Sequence, residues 1–277
     1  MDTPAAPHLP SFLAAIDWQQ PWLKPFRTLG WQLTASADWR GALNALALAR
    51  DIRNYLGLPI RFVEQAELPA ATAYEAFIGS SGKVPTRDNL HDFLNALIWL
   101  SFPSIKAQLN ALQAAELAKA GTLSGSSKPR GAARDAVTIF DENAALLLVR
   151  DNAAGQALIA VLRNHLWQEA FLEQRDMFGG DAEVWLFGHA LLEKLVRPYK
   201  AITAHTLVIS VPAHVFSLTE DARRIWIDQH VAADLEQQGA PVRRLTPLPV
   251  LGVPGWACVQ DSDFYADATV FRPKRAG

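Results

Sequence analysis

Apolar residues recur every three or four positions along several stretches of the chain, which is the spacing of one buried helix face. This spacing predicts helices over residues 39–58, 88–101, 104–120, 155–175 and 219–238. Pro103 immediately precedes the third helix and suits a first helical turn, where its missing N–H costs no hydrogen bond. Thr219 is suited to cap the start of the last helix, and Gly239 is suited to end it.

Short runs of β-branched and aliphatic residues predict strands over residues 60–63 and 201–211. Residues 136–140 and 144–149 form two further runs on either side of Asp141-Glu142-Asn143, a turn sequence, and therefore predict a hairpin. Together with the helices, these elements predict a helix-rich α+β domain. Its small, mostly antiparallel sheet would consist of the hairpin and the 201–211 strand.

The remaining segments predict how the chain is divided. Residues 1–10, rich in Ala and Pro, are expected to lie loosely, and residues 11–277 to form one domain. Residues 121–131 (GTLSGSSKPRG) have the composition of an exposed loop. Residues 184–196 fit either a strand that leads into a helix or a helix throughout.

Composition narrows the possible classes of protein. The formal net charge of −2 gives no overall field that would attract nucleic acid or acidic lipid, although a local basic patch leaves nucleic acid open as a partner. One cysteine, Cys258, allows neither an intrachain disulfide nor a zinc site built from several thiolates. The sequence has no secretory pattern at its start and no apolar run of about 18 residues, so we expect a cytoplasmic protein without a membrane span.

The helix over residues 88–101 carries two faces of different character. Its apolar face is a core contact, whereas the neighbouring face carries His91, Asn95 and Trp99, with Asp92 beside them. A large aromatic side chain such as Trp99 is unfavourable in solvent, so we expect other segments of the same chain to cover this face. Its polar groups would then need hydrogen-bond partners. The next helix presents a polar stripe that starts at Lys106. The stripes could frame a site or, in the structural alternative, only cross-link two helices.

Other groups could contribute chemistry. His189 and Glu193 lie one helical turn apart, a spacing that suits a shared metal, an imidazole oriented for proton transfer, or a simple local ion pair. Asp141 and Glu142 could bind a cation or only form a turn. Arg134 could stabilise negative charge. The chain has no Walker loop, no dinucleotide glycine fingerprint and no Gly-x-Ser-x-Gly motif.

The candidate site residues therefore fall into two groups. The candidate catalytic residues are His91, Asp92, Asp141, Glu142, His189 and Glu193. The candidate binding residues are Asn89, Asn95, Lys106 and Arg134. The cofactor stays open, with a divalent metal ion as one candidate.

Four sequence blocks, in order, resemble an uncharacterised bacterial family that is catalogued as domain of unknown function 3025. The blocks are TRDNLHDFLNALIWLSFPSIKAQLNALQ, RDAVTIFDENAALLL, FGHALLEKLVRPYKAITAH and FYADATVFRP. The resemblance covers roughly residues 86–273 and implies a bacterial protein, but no reaction. These blocks contain all ten candidate residues, including Asn89 in the first block.

Two functional hypotheses follow. The first is an enzyme, a hydrolase that uses the His/Asp/Glu cluster on a small or phosphate-bearing substrate. The second is a non-catalytic binding or interaction protein whose basic residues contact an acidic partner or nucleic acid. Its candidate basic residues are Lys128, Arg130, Arg134, Arg243, Arg244, Arg272, Lys274 and Arg275. The enzyme hypothesis predicts that the histidines and the acids converge around a cavity.

Overall fold

Helices surround one four-stranded sheet in the computed structural model, which describes residues 10–122 and 132–274. The strands are β1 (Arg61–Val63), β2 (Lys83–Pro85), β3 (Ala144–Arg150), β4 (Ala182–Leu186), β5 (Thr203–Val211) and β6 (Leu245–Pro249). The α-helices are α1 (Ser11–Ala14), α2 (Arg27–Thr34), α3 (Trp39–Ala49), α4 (Tyr74–Ser81), α5 (Leu90–Ser101), α6 (Pro103–Thr122), α7 (Ala132–Asn143), α8 (Ala153–Arg163), α9 (His189–Leu195), α10 (Ala213–Phe216), α11 (Glu220–Gln238) and α12 (Ser262–Ala266). This composition confirms the predicted helix-rich α+β domain.

The main sheet has the strand order β4-β3-β5-β6. Strand β3 runs antiparallel to β4 and parallel to β5, and β5 runs antiparallel to β6, so the sheet is mostly antiparallel as predicted. The first six residues of β3, AALLLV, are fully buried. A continuous apolar run is what a strand needs when both faces of the sheet are covered.

The predicted hairpin around Asp141-Glu142-Asn143 is wrong. Residues 132–143 form helix α7, which passes directly into β3, and the antiparallel neighbour of β3 is β4. Ala136, Val137 and Phe140 are buried, at the i, i+1, i+4 spacing of one helix face. The acidic tripeptide is therefore the last turn of a helix and not the tip of a hairpin.

Two predicted helices end earlier than expected. Helix α3 stops at Ala49, and the side chain of Asn54 then accepts the backbone N–H groups of two later residues, which folds the chain into a turn. Helix α8 stops at Arg163, and His165 follows with a φ of +57° in the left-handed region. Helical structure resumes at residues 167–168 and continues as a π-helical stretch, Glu169–Glu173, so the second predicted helix is interrupted around His165.

Other predictions are confirmed. Thr219 caps α11 by accepting the N–H of Ala222, and Gly239 ends that helix. Residues 184–196 form a strand that leads into a helix, β4 into α9. Among the described residues, no helix combines the length and apolar character that a membrane crossing requires.

The predicted loose N-terminal segment and the predicted exposed loop fall almost entirely outside the described residues. Residues 1–9 and 123–131 are not described, and the first two residues of the predicted loop, 121–122, belong to the end of α6. The small parallel sheet of β1 and β2 lies just before the site helix. It ends four residues before Asn89, which caps α5.

Candidate functional site

A cavity of about 380 Å³ is bounded mainly by residues of α4, α5, α6, α7 and α9. Seven of the ten predicted site residues line it: His91, Asp92, Asn95, Arg134, Asp141, Glu142 and His189. Glu193 and Lys106 contact lining residues from behind, and Asn89 lies outside the wall. The fold thus gathers these seven residues from three helices, α5, α7 and α9.

His91 lies one residue into α5 and pairs with a carboxylate from α9. Its Nδ1 lies 2.8 Å from Oε2 of Glu193, 102 residues further along the chain. Because a carboxylate accepts hydrogen bonds, this contact places a proton on Nδ1. The local pair of His189 with Glu193, one of the alternatives from the sequence, does not form, because Glu193 is engaged by His91.

His189, the first residue of α9, is buried and oriented by the backbone. Its Nδ1 lies 3.0 Å from the main-chain carbonyl oxygen of Asp141, which can only accept, so Nδ1 carries the proton. Burial lowers the pKa of His189 to about 4, and the nearby Asp141 carboxylate only partly opposes this shift. At neutral pH His189 is therefore an uncharged imidazole with a lone pair on Nε2.

The two imidazole rings lie against each other. Their centroids are 4.7 Å apart and their planes meet at 75°. Each Nδ1 is occupied by a different acceptor, and neither Nε2 has a hydrogen-bond partner within the described residues. Both rings thus keep one nitrogen for a molecule in the cavity.

A buried ion pair lies behind the histidines. Nζ of Lys106 is 2.6 Å and 2.9 Å from the two carboxylate oxygens of Asp141, and 2.9 Å from Oδ1 of Asn95. Burial, the largest single influence, opposes ionisation of Asp141, but the charge and hydrogen bond of Lys106 together with the nearby histidines outweigh it, and the pKa of Asp141 is lowered. The amide N–H of Asn95 in turn donates a hydrogen bond to the hydroxyl oxygen of Tyr74 at 3.1 Å. Lys106 therefore holds the element that orients His189 and does not reach into the cavity.

Asp92 and Asn89 have local roles at the start of α5. The Asn89 side chain accepts the N–H of Asp92, which is an N-cap. The Asp92 carboxylate accepts three hydrogen bonds from Arg87, one from the backbone N–H and two from the guanidinium. The pair fixes the entry of the chain into the helix, and it neutralises Arg87 at the cavity rim.

Some wall residues were not found from the sequence. Tyr74, Glu75 and Arg87 line the cavity, and nothing in their spacing distinguishes them from ordinary residues at a short helix and a turn. Burial raises the pKa of Glu75, although the charge of Lys106 opposes the rise. Its Oε2 accepts a 2.6 Å hydrogen bond from the amide of Asn110. The wall therefore contains a buried carboxyl group whose pKa is raised above its ordinary value.

Comparison with protein families matches residues 60–275 of the 277-residue chain to "Protein of unknown function (DUF3025)". The chain belongs to the DUF3025 family. All ten predicted site residues lie within the matched part of this DUF3025 protein. Searches of curated proteins and of solved structures gave no match. The family thus supports the sequence resemblance and leaves the chemistry to be argued from the site.

The donor set of the DUF3025 cavity bears on the metal ion considered from the sequence. In the part of the chain that the structure describes, no three His, Cys, Asp or Glu side chains converge as a metal-binding group. The carboxylate of Asp141 already pairs with Lys106, and that of Glu193 already pairs with His91. The arrangement offers two imidazoles with free Nε2 atoms, and acid–base chemistry needs nothing more than these.

Proposed function

We propose that the protein is a hydrolase in which His91 and His189 act as an acid–base pair on a phosphate-bearing substrate. The observation that carries the proposal is the contact of the two rings at 4.7 Å, with each Nδ1 held by a separate acceptor and each Nε2 left for a ligand. Proton transfer by positioned imidazoles is the commonest form of acid–base catalysis in enzymes.

The two histidines have different tasks in this mechanism. His189, uncharged at neutral pH, accepts a proton from water through Nε2, while the water oxygen forms a bond to the electrophilic atom of the substrate. The bond to the leaving group breaks, and His91 donates its Nε2 proton to that group. His189 then releases its proton to solvent and His91 takes one up from solvent, which restores the starting state.

The carboxylates act through the imidazoles. Glu193 holds the ring of His91 and balances the charge that the ring carries when both nitrogens are protonated. The carbonyl of Asp141 fixes the tautomer of His189, and the Lys106 ammonium fixes Asp141. Glu142 lines the cavity and has no side-chain hydrogen bond within the described residues, so it is available to contact substrate.

The alternative, a binding protein with a basic surface, has less support. Arg244 forms two hydrogen bonds with the carboxylate of Asp234, and Lys274 donates to Asn164, so these groups are already engaged. Lys128, Arg130 and Arg275 lie outside the described residues. We keep a bacterial origin and a cytoplasmic location as part of the proposal, on the sequence arguments alone.

The test is a hydrolysis screen of phosphate-bearing esters, amides and phosphoesters with the full chain. Substitutions His91→Gln and His189→Gln should each lower kcat/KM by roughly 10²–10⁴-fold on any substrate that is turned over. His214→Gln is the matched control, because His214 is exposed on α10. The proposal fails if no compound in the screen is hydrolysed, or if both variants keep wild-type activity while folded.

A further inference from the structure

Arg134 differs from the other cations around the cavity. Arg87 is neutralised by Asp92, and Lys106 by Asp141. The guanidinium of Arg134 lines the cavity and makes no hydrogen bond or ion pair within residues 10–122 and 132–274. A guanidinium with all its donors unused is suited to bind an oxyanion through two parallel hydrogen bonds.

A second polar side chain lines the cavity without a partner. Gln113, on α6, is 7% exposed, and its amide makes no hydrogen bond within the described part of the chain. Its amide N and O are not among the enclosed polar atoms that lack a partner, so they are accessible to a ligand or water in the cavity. Gln113 and Arg134 therefore both offer donors to the same cavity.

The position of Arg134 on α7 separates it from the reacting groups. Arg134 lies near the first turn of this helix, whereas Asp141, whose carbonyl holds His189, lies in the last turn. Seven residues at a rise of about 1.5 Å place the two backbone positions roughly 10 Å apart, or two helical turns. One wall of the cavity thus carries an anion-binding group at one end and the acid–base pair at the other.

We propose that Arg134 and Gln113 form a distal subsite that binds the phosphate group of the substrate, about two helical turns from the bond that is hydrolysed. The proposal rests on the proposed function and makes it more specific. The phosphate is the group by which the substrate is recognised, and it stays on the product. The bond that breaks is a separate ester, amide or phosphoester bond at the histidines.

Glu75 is compatible with an anion in this subsite. Its carboxyl lines the same cavity, and the charge of Arg134 acts on it. Burial raises its pKa, so the group takes up a proton more readily than an exposed carboxyl, and in its protonated form it donates a hydrogen bond instead of repelling an oxyanion. The amide of Asn110 holds this carboxyl in place.

Calorimetric titration of the full chain with inorganic phosphate tests the proposal. We expect saturable binding at one site, weakened about tenfold or more by Arg134→Met and to a smaller extent by Gln113→Leu. Arg163→Met is the matched control, because it removes the same charge from an exposed position on α8 and should leave the affinity unchanged. Thermal unfolding of each variant verifies that it is folded, and Arg134→Lys, which keeps the charge but loses the two parallel donors, should be intermediate.

Three results would overturn the proposal. These are no saturable binding by the wild-type chain, equal affinities of Arg134→Met and Arg163→Met, or a loss in His189→Gln as large as that in Arg134→Met. The last result would place the phosphate at the reacting groups. If phosphate binding depends on Arg134 but no hydrolysis is found, the proposed function is contradicted and the subsite is supported. If hydrolysis depends on the histidines but no such phosphate binding is found, the proposed function is supported and the subsite is contradicted.

Discussion

Glu193 accepts a hydrogen bond from His91, which lies 102 residues before it, and not from His189, which lies one turn before it on the same helix. The two histidines therefore have independent partners, one a half-exposed carboxylate and the other a buried backbone carbonyl. Their environments differ accordingly, and different environments are what separate an acid from a base in one site.

The first prediction concerns Glu193. Substitution Glu193→Gln keeps an oxygen that can accept from His91 but removes the negative charge, so kcat should fall about tenfold or more. The free energy of unfolding should change by less than about 1 kcal/mol, because the pair is partly exposed to solvent. Steady-state kinetics and urea unfolding measure the two quantities. Glu64→Gln, at an exposed position, is the control, and equal kcat values for the two variants would rule out a role for the charge.

The second prediction is a pH dependence of stability that arises from His189. Its folded pKa of about 4 is below the ordinary value of 6.5, so between these values the unfolded chain binds a proton that the folded chain does not. Its contribution to stability is complete above pH 6.5 and is lost as the pH falls towards 4. Relative to His189→Gln, wild type should lose roughly 2–3 kcal/mol of unfolding free energy between pH 7.5 and 4.5.

Comparison with His189→Gln matters because other groups titrate in the same range. The pKa values of Glu75 and Asp228 are raised by burial, so these two groups favour the folded state as the pH falls. Both remain in the variant, and their effect cancels in the difference. A difference that does not change with pH would show that His189 is not held uncharged.

The third prediction concerns the buried ion pair. Lys106→Met leaves the Asp141 carboxylate buried without its cation, which should cost about 3–5 kcal/mol of unfolding free energy. The double variant with Asp141→Leu should lose less than the single variant, because no unpaired charge is left. Lys83→Met breaks an ion pair of similar length at the surface and should cost less than about 1 kcal/mol. Equal losses in the two lysine variants, measured by urea unfolding, would contradict this account.

The fourth prediction concerns Gly188, just before His189. A Cβ at this position would lie 2.4 Å from the carbonyl oxygen of Glu142, which is backbone and cannot easily give way. Gly188→Ala should therefore displace the start of α9, destabilise the fold by about 1–3 kcal/mol and lower activity with it. Gly180→Ala is the control, because a Cβ there meets nothing within 4 Å. Activity and stability unchanged in Gly188→Ala would show that the close approach is not required.

The sequence predicts the helices that have clear caps and a regular apolar period, such as α5, α6 and α11. It fails at α7, because Val137, Ile139 and Phe140 have strand-forming side chains and precede a turn-like tripeptide. In the fold, packing against the sheet determines that this segment is a helix, and its buried positions follow the helical period. Local propensity is outweighed there by contacts that a single window of sequence does not contain.

Seven of the ten candidate residues line the cavity, but the sequence does not indicate how they pair. Spacing on a helix suggested that His189 and Glu193 are partners, yet the tertiary arrangement of α5 against α9 gives Glu193 to His91. The wall residues Tyr74 and Glu75 carry no pattern, and only the packing of α4 brings them to the cavity. Contacts between elements that are distant in sequence depend on topology, and helical periodicity does not predict them.

Helix α7 joins β3 without any intervening turn, and the first six residues of β3, an inner strand of the sheet, are fully buried. The carbonyl that positions one imidazole is thus rigidly attached to the most protected part of the molecule. No hinge separates the candidate site from the core at this junction, so under the proposed function thermal inactivation should coincide with global melting and not precede it.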